Sequence, residues 1–200
     1  MKNKLLLLIV TLFSFTQLNA QVFWTEDFGT GCSQGNTANT YAGPNGAWSV
    51  NNVGANDPEA NEFYVSATEA GMGAGNCGDG CISNGTLNNR TLHIGSNDGF
   101  TTPDPGAAYN AGGICGLLFC VATDKRAESS AIDCSGQTGI TLDFNYMENG
   151  DGTNDDATLW YFDGATWSQL DPLAKTPVTC SPQGTWTAFS IGLPASADNN

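Results

Sequence analysis

The stretch GITLDFNYM, residues 139–147, alternates large apolar and polar side chains with a period of two. On an extended chain Ile140, Leu142, Phe144 and Tyr146 fall on one face, and Thr141, Asp143 and Asn145 on the other. This is a strand with one face in a core and one in water. Downstream, ATLWYFDGATWSQL (157–170) sets two β-rich runs on either side of Asp163-Gly164, a dipeptide that supplies the positive φ angles of a two-residue hairpin turn. Helical periodicity is absent beyond residue 20, so the chain reads as all-β. The strands expected are Val22 to Phe28, Ala47 to Asn51, Glu62 to Ala67, Arg90 to Gly95, Gly113 to Thr123, Ile140 to Met147, Ala157 to Phe162, Thr166 to Leu170 and Trp186 to Ile191. Of these, GICGLLFCVAT (113–123) is apolar on both faces, the pattern of a strand buried centrally in a sandwich. Glycine-rich loops at 29–46, 70–89 and 96–112 are the expected places for binding. The last strand, in GTWTAFSIGLPASADNN (184–200), has no evident partner, which suggests a missing neighbour and a longer parent protein.

Residues 1–20 combine Lys2 and Lys4, a short apolar run from Leu5, and Ala20 at a cleavage position. That run is too short to span a bilayer and reads as a secretory signal peptide, with no transmembrane anchor. Residues 21–200 then form one domain, long enough to bury a core. Without Lys2 and Lys4 the chain has four basic residues against twenty acidic ones, a net charge of −16. A polyanion such as nucleic acid is not an expected partner, while divalent cations would be attracted. Seven cysteines in a secreted chain point to disulfides. Three bridges and one spare thiol can be drawn in about a hundred ways. Cys77, Cys81, Cys115, Cys120, Cys134 and Cys180 are the candidates, with Cys77–Cys81 in CGDGC the favoured local pair because its glycines allow tight closure. With His93 as the sole histidine, zinc is disfavoured.

The segment 145–167 holds Glu148, Asp151, Asp155, Asp156 and Asp163. An EF-hand counted from Asp151 would need glycine where Asp156 stands, and flanking helices, so that template fails. A β-roll calcium repeat fails for want of stacking copies. A solvated hairpin loop is the main reading, and a one-off calcium site on Asp151, Asp155 or Asp156 the second. GCSQG (31–35) spells a nucleophile elbow around Ser33 but is followed by no helix. GAGNCG (73–78) matches a dinucleotide fingerprint by letters alone. Twenty acids make a facing pair for glycoside hydrolysis uninformative. Five tryptophans could stack on sugars, and Trp160 and Trp167 are the candidate ligand contacts; strand packing is the competing use of both. Asn84 and Asn89 sit in glycosylation sequons that matter only in a eukaryotic host.

TEDFGTG, GAWSVNN, NEFYVSA, the run RAESSAIDCSGQTGITLDFNYMENGDG, the DGATW hairpin and GTWTAFSIGLP occur in an order that resembles MAM-like, concanavalin A-like jelly rolls. The style is closest to modules at the front of Bacteroidetes extracellular proteins. The resemblance implies an antiparallel jelly-roll β-sandwich, here lacking its last strands, and a structural calcium (Ca2+) near Asp27-Phe28. Gly29 replaces the acid common after the phenylalanine, and Glu26 is the substitute ligand proposed. It also implies export by the type IX route, although no C-terminal sorting domain is seen. The function expected is a secreted or cell-surface, non-catalytic binding or adhesion module for a glycan or surface protein. The alternatives are the accessory front domain of a larger secreted hydrolase and, third, a carbohydrate-active enzyme in its own right.

Overall fold

The computed structural model describes residues 21–29, 36–37, 41–58, 60–66, 77, 90–95, 114–115, 118–119, 122–150, 155–180 and 184–200, some of the short pieces by backbone alone. The fold is all-β, and every strand pairing among the described residues is antiparallel. In chain order the strands are β1 (Asn36–Thr37), β2 (Ala42–Gly43), β3 (Gly46–Ala47), β4 (Ser49–Asn52), β5 (Glu62–Ser66), β6 (Thr91–Gly95), β7 (Ile114–Cys115), β8 (Leu118–Phe119), β9 (Lys125–Glu128), β10 (Thr141–Tyr146), β11 (Leu159–Phe162), β12 (Trp167–Asp171) and β13 (Thr187–Gly192). A 3-10 turn, Ala195–Ala197, follows. The described ladders are β1-β5-β6, β2-β3, β4-β9, β7-β8, β10-β13 and β11-β12.

β10 behaves as its alternation requires. Exposure switches residue by residue along both β10 and β13, and the register sets Leu142 against Ile191 and Phe144 against Phe189. The two phenylalanine rings lie 5.2 Å apart, and Tyr146 meets Phe189 edge-on at 6.0 Å. Such tilted and edge contacts suit the ring quadrupole. Tyr146 reaches past the sheet to donate to the Ala174 carbonyl at 2.8 Å. Beside this pair lies a core of Cys134, Ile140 and Ala197, packed by Ile132, Tyr161 and Leu193. The chain's last residues hold it closed: Leu193 N–H donates to Ile140, Asn199 N–H to Gln137, and Cys134 N–H to Asn200. A second buried group, Ala60, Tyr64 and Val65, sits at β5.

Several expectations are corrected. Thr187–Gly192 does have a partner, β10; the pairing is non-local, so nothing near residue 187 announces it. The apolar run at 113–123 is not one buried strand: Ile114 pairs with Phe119 and Cys115 with Leu118, so the chain doubles back. An apolar run records burial and not how often the chain crosses the core. Residues 21–29 form no strand, and at their end Phe28 (φ 54°) and Gly29 (φ 76°) turn the chain out of the extended region. The run from Ala47 splits, Gly46–Ala47 pairing back on Ala42–Gly43 before Ser49–Asn52 pairs with Lys125–Glu128. β9 itself was not anticipated, since KRAE has no apolar alternation. The hairpin turn is shifted by one residue. Gly164 (φ 94°) and Ala165 form its centre, and Asp163 stands before them, its Oδ1 accepting the N–H groups of Ala165 (2.9 Å) and Thr166 (2.7 Å).

The cysteines pair across the chain. Cys77 and Cys180 form a disulfide with Cα atoms 5.3 Å apart, so the local Cys77–Cys81 bridge is not made. Cys134, a bridge candidate by sequence, is a buried free thiol in the core, and its burial pushes the thiol pKa up. Cys81 and Cys120 lie outside the described residues, as do Ser33, Asn84, Asn89 and Asp151; for Cys115 only the backbone is described.

Candidate functional site

The hairpin β11-β12 buries one face and shows the other. Tyr161 points into the core with Ile140 and Ala197. Its neighbours Trp160 and Phe162 therefore face outward, because successive strand side chains alternate. They are 41% and 43% exposed, among the most exposed large apolar side chains described. Across the ladder Phe162 is paired with Trp167, and Trp160 with Gln169. Leu170 is the extra residue of a bulge, since Leu159 already pairs with Asp171; the shift lets Gln169 stand opposite Trp160.

The aromatic rings are fixed, each in a different way. Phe162 stacks on Trp167 with centroids 4.9 Å apart and planes inclined by 28°. The Arg126 guanidinium lies 3.6 Å from the Trp167 ring centroid, a cation–π contact. Arg126 is oriented in turn by Glu128 on the same strand, with Nε donating to Oε1 at 2.8 Å and Nη2 2.7 Å from that oxygen. β9 carries both, held by its pairing with β4. Trp160 is pinned by its indole N–H, which donates to Thr158 Oγ1 at 2.9 Å. Trp167 is thus covered by Phe162 and Arg126, whereas Trp160 and Phe162 present open aromatic surface. Of the two ligand contacts expected from sequence, Trp160 is accessible and Trp167 is the support beneath. Phe162, Arg126, Glu128 and Gln169 were missed; Phe162 could have been found, because it lies two residues from Trp160 on one strand face.

Glu26 is placed elsewhere. Its Oε1 accepts Phe28 N–H (2.8 Å) and the Tyr41 hydroxyl (2.9 Å), and its Oε2 the Trp48 indole N–H (3.3 Å). A Cβ at Gly43 would run into this carboxylate, so a side chain there displaces Glu26. The Phe28 ring packs on Tyr41 and Trp48 at 5.7 and 5.2 Å, and Arg90 Nε donates to the Phe28 carbonyl at 3.0 Å. Burial, with the Glu26 carboxylate next, drives the Tyr41 pKa far up. Asp27 makes a local turn, its Oδ1 accepting Gly29 N–H at 2.8 Å. Asp155 is half-buried and Asp156 exposed. Among the described residues no three His, Cys, Asp or Glu side chains gather as a metal site would require. His93 is buried, with its ring 5.5 Å from Tyr64 and Nε2 2.6 Å from Thr91 Oγ1. No described helix is long and apolar enough to cross a membrane.

Comparison of the chain with family models, curated proteins and solved structures gives no significant match.

Proposed function

We propose that this protein is a secreted, non-catalytic binding module that takes a neutral glycan on the outward face of β11-β12. The observation that carries the proposal is the side-by-side exposure of Trp160 and Phe162. Leaving two large rings about two-fifths exposed forgoes a fraction of the roughly 1.5–3 kcal/mol that full burial of each would give. A pyranose ring offers the complement: a C–H face for the electron-rich ring plane and hydroxyls for the polar rim, here Gln169, Arg126 and Glu128. The site has no net charge, because Glu128 balances Arg126. With the chain's excess of acid around it, it disfavours acidic polysaccharides and suits uncharged ones. MAM-like jelly-roll wrapping is the finer architecture belonging to this proposal.

Binding is tested by calorimetry and affinity electrophoresis on a panel of neutral polysaccharides, with an acidic one as control. Loss of one stacked ring is worth about 1 kcal/mol or more, so Trp160→Ala and Phe162→Ala each weaken binding about fivefold or more with the circular dichroism unchanged. Binding that survives both substitutions, or a wild type that takes no neutral glycan, overturns the proposal. Secretion is checked by the mature N-terminus, expected at Gln21 in exported protein. Calcium would have to compete with the Tyr41 and Trp48 donors for Glu26. A Tm that rises with millimolar calcium and not in Asp27→Ala keeps the ion in the proposal, and no rise removes it.

A further inference from the structure

The ion pair at the aromatic face is only half used. A guanidinium and a carboxylate in their strongest arrangement share two parallel hydrogen bonds through two oxygens. Here Arg126 Nε and Nη2 both converge on Glu128 Oε1, at 2.8 and 2.7 Å. Among the described residues, Nη1 has no acceptor and Oε2 no donor. The two side chains are 23% and 20% exposed, so solvent and ligand can reach them. The contact with the Trp167 ring and the pairing with Glu128 hold the guanidinium in place, and a pre-oriented fork gives up little entropy when it binds.

We infer that Arg126 Nη1 and Glu128 Oε2 form a donor–acceptor pair that recognises two adjacent hydroxyls of a neutral sugar resting on the Trp160–Phe162 face. The inference rests on the glycan reading above and adds the chemistry that selects the sugar. Adjacent hydroxyls match the pair because each hydroxyl both donates and accepts. One hydroxyl oxygen accepts a hydrogen bond from Nη1–H and the next hydroxyl donates its O–H to Oε2. A carboxylated sugar would satisfy Arg126 and repel Glu128, and an amine would do the reverse. A sugar lacking one of the two hydroxyls leaves a charged group unanswered, which is where discrimination is greatest.

The test uses the whole mature chain, a neutral polysaccharide that wild type binds, and two methyl glycosides as competitors, one with adjacent hydroxyls and one its monodeoxy analogue. Wild type is expected to prefer the diol by about tenfold or more. Glu128→Gln, and separately Arg126→Lys, are expected to bind diol and deoxy sugar alike while keeping the wild-type circular dichroism. Glu128→Asp, which keeps the charge but withdraws the acceptor, is expected to do the same and serves if Glu128→Gln unfolds. Variants that keep the wild-type preference, while Trp160→Ala still weakens binding, sink this inference and leave the glycan reading standing. A wild type that binds no neutral glycan sinks both.

Discussion

At the residue scale, single side chains do the work that a ladder does elsewhere. Glu26 is the clearest case. In a segment that pairs with no strand, its carboxylate supplies acceptors for a backbone N–H, a phenol and an indole. Removing it leaves the buried Tyr41 hydroxyl unanswered, a cost of about 1–3 kcal/mol. Glu26→Ala is therefore expected to lower unfolding stability by that amount in urea titration, and Glu26→Gln, which keeps one acceptor oxygen, by less. Asp163 acts in the same manner at the hairpin tip. The N–H of Thr166, then that of Ala165, holds its carboxyl below the ordinary aspartate range, and Ser135 does so for Asp133. A carboxyl depressed on folding stabilises above its unfolded pKa, and that contribution is lost as pH falls through the folded value. Urea stability should thus fall below about pH 4. Asp163→Asn, whose side-chain oxygen accepts the same bonds without titrating, should fall less over that range.

At the element scale, the period-two pattern of GITLDFNYM produced the strand it implied, and its outward residues are exposed as expected. The β11-β12 hairpin was equally legible, though its turn was placed one residue early. The reason is local: Asp163 bonds through its side chain to the two residues ahead, leaving Gly164 to take the left-handed conformation. Nothing lies within 4 Å of a Cβ built on Gly164, so Gly164→Ala carries only a conformational cost, about 1 kcal/mol or more. Gly43→Ala should cost more, because it displaces Glu26. Phe189→Ala removes a ring shared by Phe144 and Tyr146. Its expected cost is about 2–3 kcal/mol, below that of a wholly buried ring, and is read by thermal unfolding. β9 was illegible because charged residues formed it. Arg126 earns its position by sitting over the Trp167 ring, and Lys125 by pairing with Glu62 at 2.5 Å, neither of which leaves a mark in hydrophobic rhythm.

At the scale of the whole molecule, strands distant in the chain are brought together and tied. β10 finds β13, β4 finds β9, and Cys77 finds Cys180 across a separation of 103 residues. Closing so long a loop should stabilise the fold by roughly 2–5 kcal/mol, so Cys180→Ser is expected to lower the Tm clearly under oxidising conditions. Peptide mapping without reductant should recover Cys77 joined to Cys180, and Cys134 should take an alkylating reagent only after unfolding. Recovery of Cys77 joined to Cys81 would contradict the long bridge.

The all-β class, β10 and the two arms of the hairpin were determined by the sequence alone, because alternation is a property of neighbouring residues. Which strands pair, which cysteines meet, that Glu26 is an acceptor for two aromatic side chains, and that Trp160 stays open while Trp167 is covered were decided only by the tertiary structure. Each of those depends on atoms contributed from far along the chain, and exposure belongs to a surface that exists only once the strands have assembled.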